Sequence, residues 1–196
     1  AAVERKYNYL PEGRELVCRN GENRYTRALY GSHSEFRLET SDRPLFATFK
    51  RNECRNLRLF LTLGEKEIPM DSVFFDCEAR YMGGRRTYSL THGEMRIEVY
   101  AMASFTEEDA VFRFISYNLP EGATLHAVLC NARSSKFQRN GDLGVDDLTK
   151  FDAAQEAPIS TTEWCAGGTS YLLLDDNSCV RAWNGKDGEV FSAAQK

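Results

Sequence analysis

Apolar and polar side chains alternate with a period of two along most of the chain. Leu57, Leu59, Leu61 and Leu63 alternate with Arg58, Phe60 and Thr62, and Met95, Ile97, Val99 and Ala101 with Arg96, Glu98 and Tyr100. Each segment therefore has one apolar face and reads as a strand. Residues 110–117 differ, because Val111 and Ile115 point one way while Phe112 and Phe114 point the other. That pattern predicts a strand covered on both faces and central in its sheet.

Turn signals separate these runs at short intervals. Asn20-Gly21 lies between 15–19 and 24–30 and is the strongest hairpin signal, because a type I′ turn needs positive φ at both central positions. Segment 41–44 splits 36–40 from 45–49, and 64–69, 82–85, 91–93 and 120–122 follow, each flanked by β-branched or aromatic residues. The sum is about ten antiparallel strands. Helical period is nearly absent. The best helix is 145–154, with Leu148 and Phe151 on one face and Asp146 and Asp147 in the first turn. Segment 131–160 is a long polar excursion, after which 170–174 and 179–183 form a hairpin around Asp175-Asp176-Asn177, and 189–193 begins a further strand. The expected fold is an all-β antiparallel sandwich with at most one short helix, as one domain over 1–196.

Composition narrows the partners. With 196 residues, 42% of them hydrophobic, the chain can bury a sizeable core. Its 25 basic and 29 acidic residues give a net charge of -4, which argues against nucleic acid and anionic membrane. No apolar run approaches the roughly 18 to 20 residues of a membrane-spanning helix. The start at Ala1-Ala2, without Met or leader pattern, suggests a processed or truncated chain. Six cysteines are scattered without a CxxC pair, which predicts no structural zinc and mostly buried small hydrophobes; if any do pair, Cys165 with Cys179 is the least arbitrary disulfide because it closes a short loop.

Chemistry-bearing motifs are sparse. Asn140, Asp142, Gly144 and Asp146 start like a calcium loop, but Gly144 and the missing downstream Glu break the pattern, leaving a loop with Asx turns. His33, His92 and His126 form no HxH or HExxH motif; His92 belongs in a turn, His126 on a strand, and His33 is the best of the three for a site. No GxSxG elbow, Walker loop or Rossmann fingerprint occurs, so no cofactor is expected. Arginine is more telling, since 18 of the 25 basic residues are Arg. Arg24, Arg27, Arg37, Arg80, Arg85 and Arg86 lie close to tyrosines, where guanidinium groups stack on rings or pair with glutamates across strands. The candidate ligand-binding residues are Trp164 and Trp183, whose indoles could stack on a sugar ring, with Tyr81, Arg85 and His33.

The stretch Asn20-Gly21-Glu22-Asn23-Arg24-Tyr25-Thr26-Arg27-Ala28-Leu29-Tyr30-Gly31, followed by Phe36-Arg37-Leu38-Glu39-Thr40 and Asp42-Arg43-Pro44, resembles the N-terminal signature of a Bacteroidetes family, domain of unknown function 4450. Ala79-Arg80-Tyr81 with Gly84-Arg85-Arg86-Thr87-Tyr88 continues it. The resemblance covers the first half of the chain well and the remainder loosely. It implies a galactose-mutarotase-like sandwich that precedes an (α/α) toroid related to glycoside hydrolases, in a periplasmic or secreted protein. Any catalytic acid would then lie in the absent C-terminal helical domain, the partner of this chain. Two function classes follow, a non-catalytic sandwich that supports carbohydrate binding and a mutarotase or epimerase acting through a Glu/His pair, His33 with Glu35 or Glu39. A structural module without ligand stands behind them.

Overall fold

The computed structural model describes residues 9–22, 24–31, 36–50, 53–105, 107–131, 146–147, 158–174, 180–184, 190–191 and 194–195. Among them are eighteen strands and no helix. In chain order these are β1 (Leu10–Glu12), β2 (Glu15–Arg19), β3 (Arg24–Tyr30), β4 (Phe36–Ser41), β5 (Leu45–Lys50), β6 (Glu53–Leu63), β7 (Lys66–Pro69), β8 (Asp76–Met82), β9 (Arg85–His92), β10 (Met95–Ala103), β11 (Ala110–Tyr117), β12 (Thr124–Asn131), β13 (Asp146–Asp147), β14 (Pro158–Cys165), β15 (Gly168–Leu174), β16 (Val180–Asn184), β17 (Val190–Phe191) and β18 (Ala194–Gln195). They build two nine-stranded antiparallel sheets. The front sheet runs β1-β2-β8-β9-β10-β11-β15-β16-β17 and the back sheet β13-β3-β4-β5-β6-β12-β14-β18, with β7 paired to β6. The expected sandwich is what the chain forms.

Alternation does what the pattern predicts. Leu57, Leu59 and Leu61 of β6 and Leu125, Ala127 and Leu129 of β12 are buried from the back sheet; Ile97, Val99 and Ala101 of β10 and Phe112 and Phe114 of β11 meet them from the front. Each fully buried Leu, Ile or Phe contributes about 1.5–3 kcal/mol. Three predicted turns are two-residue hairpins, at 64–65, 83–84 and 93–94. Lys66–Pro69, part of one predicted turn region, is itself strand β7.

Several expectations are corrected. Asn20-Gly21 does not close a hairpin: β2 pairs with β1 and β8, whereas β3 pairs with β4 and β13 in the other sheet. Asn20 does take a positive φ of 49°. Its backbone N–H, however, donates to Cys77 O (2.8 Å), and its Oδ1 accepts from Cys77 N (2.8 Å), which ties the crossing to β8. Gly21 is required by close approach, because a Cβ there would meet Asp42 Cβ at 2.5 Å and Cys18 Sγ at 2.9 Å. Strand β11 is interior to the front sheet, between β10 and β15, but covered on one face only; Arg113 is exposed. Of the predicted helix, Asp146 and Asp147 are a strand paired to Tyr25 and Arg24, and 145 and 148–154 lie outside the described residues, as do Asn140, Asp142 and Gly144. The polar excursion is shorter than expected, since β14 begins at Pro158.

The candidate Cys165–Cys179 disulfide is not formed, and most of the described cysteines are buried thiols, as expected. Cys165 is an exposed free thiol at the far end of β14, and Cys18, Cys54, Cys77 and Cys130 are free and buried. Cys179 lies outside the described residues.

One end of the interior is polar. The turn between β4 and β5 is buried, with Ser41 and Asp42 fully so. Arg86 of β9 lies 3.7 Å from Asp42 Oδ1, both side chains at 0% exposure. Its Nη2 donates to Ser41 O (2.8 Å), as does the Tyr88 hydroxyl (2.6 Å), and its Nε donates to Tyr88 Oη (3.3 Å). Tyr9, just before β1, accepts a hydrogen bond from Arg86 Nη2 and donates one to Asp42 Oδ1. Arg43 stitches the same end together, donating to the carbonyls of Gly21 (3.0 Å), Ser72 (2.9 Å) and Phe75 (3.0 Å).

Candidate functional site

The outward positions of the front sheet form cross-strand rows. Register aligns Tyr171, Arg113, Tyr100, Thr87 and Arg80 across β15, β11, β10, β9 and β8. A second row aligns Glu98, Ser89, Glu78 and Arg19, and a third Tyr117, Arg96, Thr91 and Asp76. The rows face out because the alternate residues of the same strands, such as Ile97, Val99 and Ala101, fill the core.

Within the rows, rings, guanidinium groups and carboxylates interlock. Arg113 lies 4.2 Å from the Tyr100 ring centroid and Arg96 4.2 Å from that of Tyr117. The Tyr100 hydroxyl donates to Glu98 Oε2 (3.0 Å), and burial followed by this bond raises its pKa. Arg80 pairs with Glu78 (2.8 Å), Glu15 (2.8 Å) and Glu12 (3.2 Å), and Arg19 with Glu12 (2.8 Å) and Glu78 (3.1 Å). Hydrogen bonds to Glu15 and Glu78 raise the Arg80 pKa, and the hydrogen bond from Arg19 leads those that lower that of Glu12. Arg19, Asn20, Asp76, Glu78, Ser89 and Thr91 line a shallow cleft of about 260 Å³ on this face. Fixed donors and acceptors beside outward tyrosine rings can take a polyhydroxylated ligand, hydroxyl by hydroxyl, with a ring face alongside.

The predicted site residues are not gathered there. Trp164 is 3% exposed, donates its indole N–H to Ser170 Oγ (2.9 Å) and packs on Phe114 at 5.4 Å, so it is a core residue with no free ring face. Trp183 is the register partner of Tyr171 on β16, and its side chain lies outside what is described. Tyr81 and Arg85 sit on opposite faces of the front sheet. Tyr81 packs against the core beneath the Arg27 guanidinium (5.5 Å), while Arg85 faces out, 3.6 Å from Glu15. His33 and Glu35 lie outside the described residues, and Glu39 is held by Arg37 at 2.7 Å. The arginine–tyrosine stacking expected from sequence occurs, but its outward pairs, Arg113–Tyr100 and Arg96–Tyr117, come from strand register and were not among the arginines singled out.

Other chemistry lies apart from this face. His92 ends β9 beside the 93–94 turn and stacks on Phe74 at 3.8 Å. His126 Nδ1 lies 3.3 Å from Glu67 Oε2 on the outer side of the back sheet and lines neither this cleft nor a second one of about 380 Å³. That second cleft lies at one end of the sandwich, between Ser116, Asn118, Ala123, Thr124, Cys165 and Gly168. Among the described residues no cluster of three or more His, Cys, Asp or Glu side chains could hold a metal ion.

Fold and face together define a class: an antiparallel β-sandwich with an outer sheet face rich in tyrosine, arginine and carboxylate. The chain belongs to the DUF4450 family, a domain of unknown function, whose model matches residues 54–187. The match takes in Ala79-Arg80-Tyr81 and 84–88, whereas the 20–44 segment that carried the resemblance precedes it. No curated protein matches the chain.

Proposed function

We propose that the chain is a non-catalytic β-sandwich that contributes a carbohydrate-contact face to a larger, exported, glycoside-hydrolase-like protein. The observation that carries this reading is the front-sheet face, where Tyr100, Tyr117 and Tyr171 alternate with Arg96 and Arg113 beside the cleft at Arg19, Asp76 and Glu78. The helical partner domain and the periplasmic or extracellular setting rest on the family resemblance.

Affinity electrophoresis of the chain through gels carrying single polysaccharides tests it. At least one polysaccharide should retard the protein, and Tyr117→Ala with Arg113→Ala should weaken that retardation about tenfold or more, the loss of one charged hydrogen bond or stacked ring. Retardation unchanged in this variant, or by no polysaccharide in the panel, overturns the reading.

A second reading, sugar mutarotation through a Glu/His pair, has one observation in its favour, the 3.3 Å approach of His126 to Glu67. Polarimetry of freshly dissolved aldoses with wild type and His126→Ala decides it, since equal rates with both exclude that pair.

A further inference from the structure

The polar end of the interior holds a tyrosine that does not belong to the elements surrounding it. The groups that meet Tyr9 come from both sheets: Arg86 from β9, with Tyr88 and Ser41 behind it, Asp42 from the β4–β5 turn, Arg27 from β3 and Cys18 from β2. Tyr9 itself precedes β1, a strand of three exposed residues that pairs only with β2. The receiving groups keep one another in place without it. Arg86 is anchored by Ser41 O, Tyr88 Oη and Asp42, and Tyr88 by Ser41 O. Two guanidinium groups flank the Tyr9 ring, Arg27 at 4.9 Å and Arg86 at 5.1 Å from its centroid, and Tyr81 closes the far side of Arg27 at 5.5 Å.

We propose that this pocket is a recognition site for a p-hydroxyphenyl group, occupied in cis by Tyr9, and that a phenolic ring from outside the chain enters it when β1 detaches. The ligand class follows from the groups present. Guanidinium groups within about 6 Å of a ring favour an aromatic ligand. Arg86 and Asp42 read one hydroxyl as acceptor and donor together, which a phenol satisfies. A carboxylate or phosphate would face Asp42, and a plain hydrocarbon ring would leave both charged groups without the hydroxyl, the kind of loss by which a polar site rejects an isostere. The strap can open because it is the least supported element at this end. Among the described residues its ties include three backbone register pairs and the surface ion pairs of Glu12 with Arg19 and Arg80, which solvent screens.

Tyr9→Ala with p-cresol as probe tests the proposal. p-Cresol should raise the Tm of the variant in a concentration-dependent way, and toluene should bind about tenfold more weakly or worse, for want of the hydroxyl. Wild type should bind p-cresol at least about tenfold more weakly than the variant, because Tyr9 competes. A peptide of residues 7–13 is the second arm. Binding well above that of p-cresol assigns the natural source to a strand-borne tyrosine, and binding no better assigns it to a free phenol. Equal effects of toluene and p-cresol, or none from either, overturn the site. Should Tyr9→Ala not fold, amide exchange at Leu10 and Glu12 in wild type replaces it. Saturating p-cresol speeds that exchange and toluene does not; exchange indifferent to p-cresol overturns the proposal.

Discussion

The two ends of the interior are packed by opposite chemistry. At one end Phe112, Phe114, Leu125 and Trp164 meet across the sheets, with Phe46 edge-on to Phe112 at 4.9 Å. At the other, Asp42, Arg86 and Tyr88 are equally buried, and Phe46, 5.8 Å from Tyr88, joins the two. The apolar end gains stability in proportion to area and degrades gradually when atoms are removed. The polar end depends on its buried charges keeping one another, because a buried charge without compensation costs far more than the pair contributes.

The largest expected effect separates these regimes. Arg86→Met should destabilise the protein by about 3–5 kcal/mol in urea unfolding, since it leaves the Asp42 carboxylate buried without its guanidinium. Adding Asp42→Leu should recover part of that loss; a double variant no more stable than the single would show that the charge pair is not what sets the polar end apart.

Alkaline pH should also act, at the polar end and at Cys54, whose burial likewise pushes its thiol up to about 12. Burial pushes Tyr88 and Cys77 up to about 12, from 10.0 and 9.0. The unfolded chain therefore releases these protons first, so the associated stability is complete below about pH 9 and declines as pH rises towards 12. The slope is about 1.4 kcal/mol per pH unit for each group titrating. Stability flat between pH 9 and 11 would contradict it. At the apolar end, Ile97→Val should cost only about 0.5–1.5 kcal/mol at any of these pH values. Smallest of all, Arg113→Ala on the exposed front face should stay within about 0.5 kcal/mol of wild type, so that any loss of glycan retardation there reports binding and not folding.

The fold was more legible in the sequence than the site. Alternation in 57–63 and 95–101 and the two-residue turns at Gly64, Gly84 and Gly93 are local signals, and each forms the strand or hairpin expected. Trp164 shows where such signals stop. No local pattern placed it on a strand, and its burial follows from the partner sheet, through Phe114 and Ser170. The outward rows were likewise hidden. Arg113 and Tyr100 are 13 residues apart in sequence and touch only because β10 and β11 pair in one particular register.

By itself, then, the sequence determined that the chain is all-β and, in cleanly alternating runs such as 57–63 and 95–101, which side chains face the core. Only the tertiary structure decided which sheet each strand joins, that Asn20-Gly21 crosses between sheets, and that Tyr9, Asp42 and Arg86 meet inside. The reason is range. Period-two alternation records one strand's own two faces, whereas the choice of sheet and the pairing of buried charges depend on which distant segments can satisfy one another's hydrogen bonds and volume.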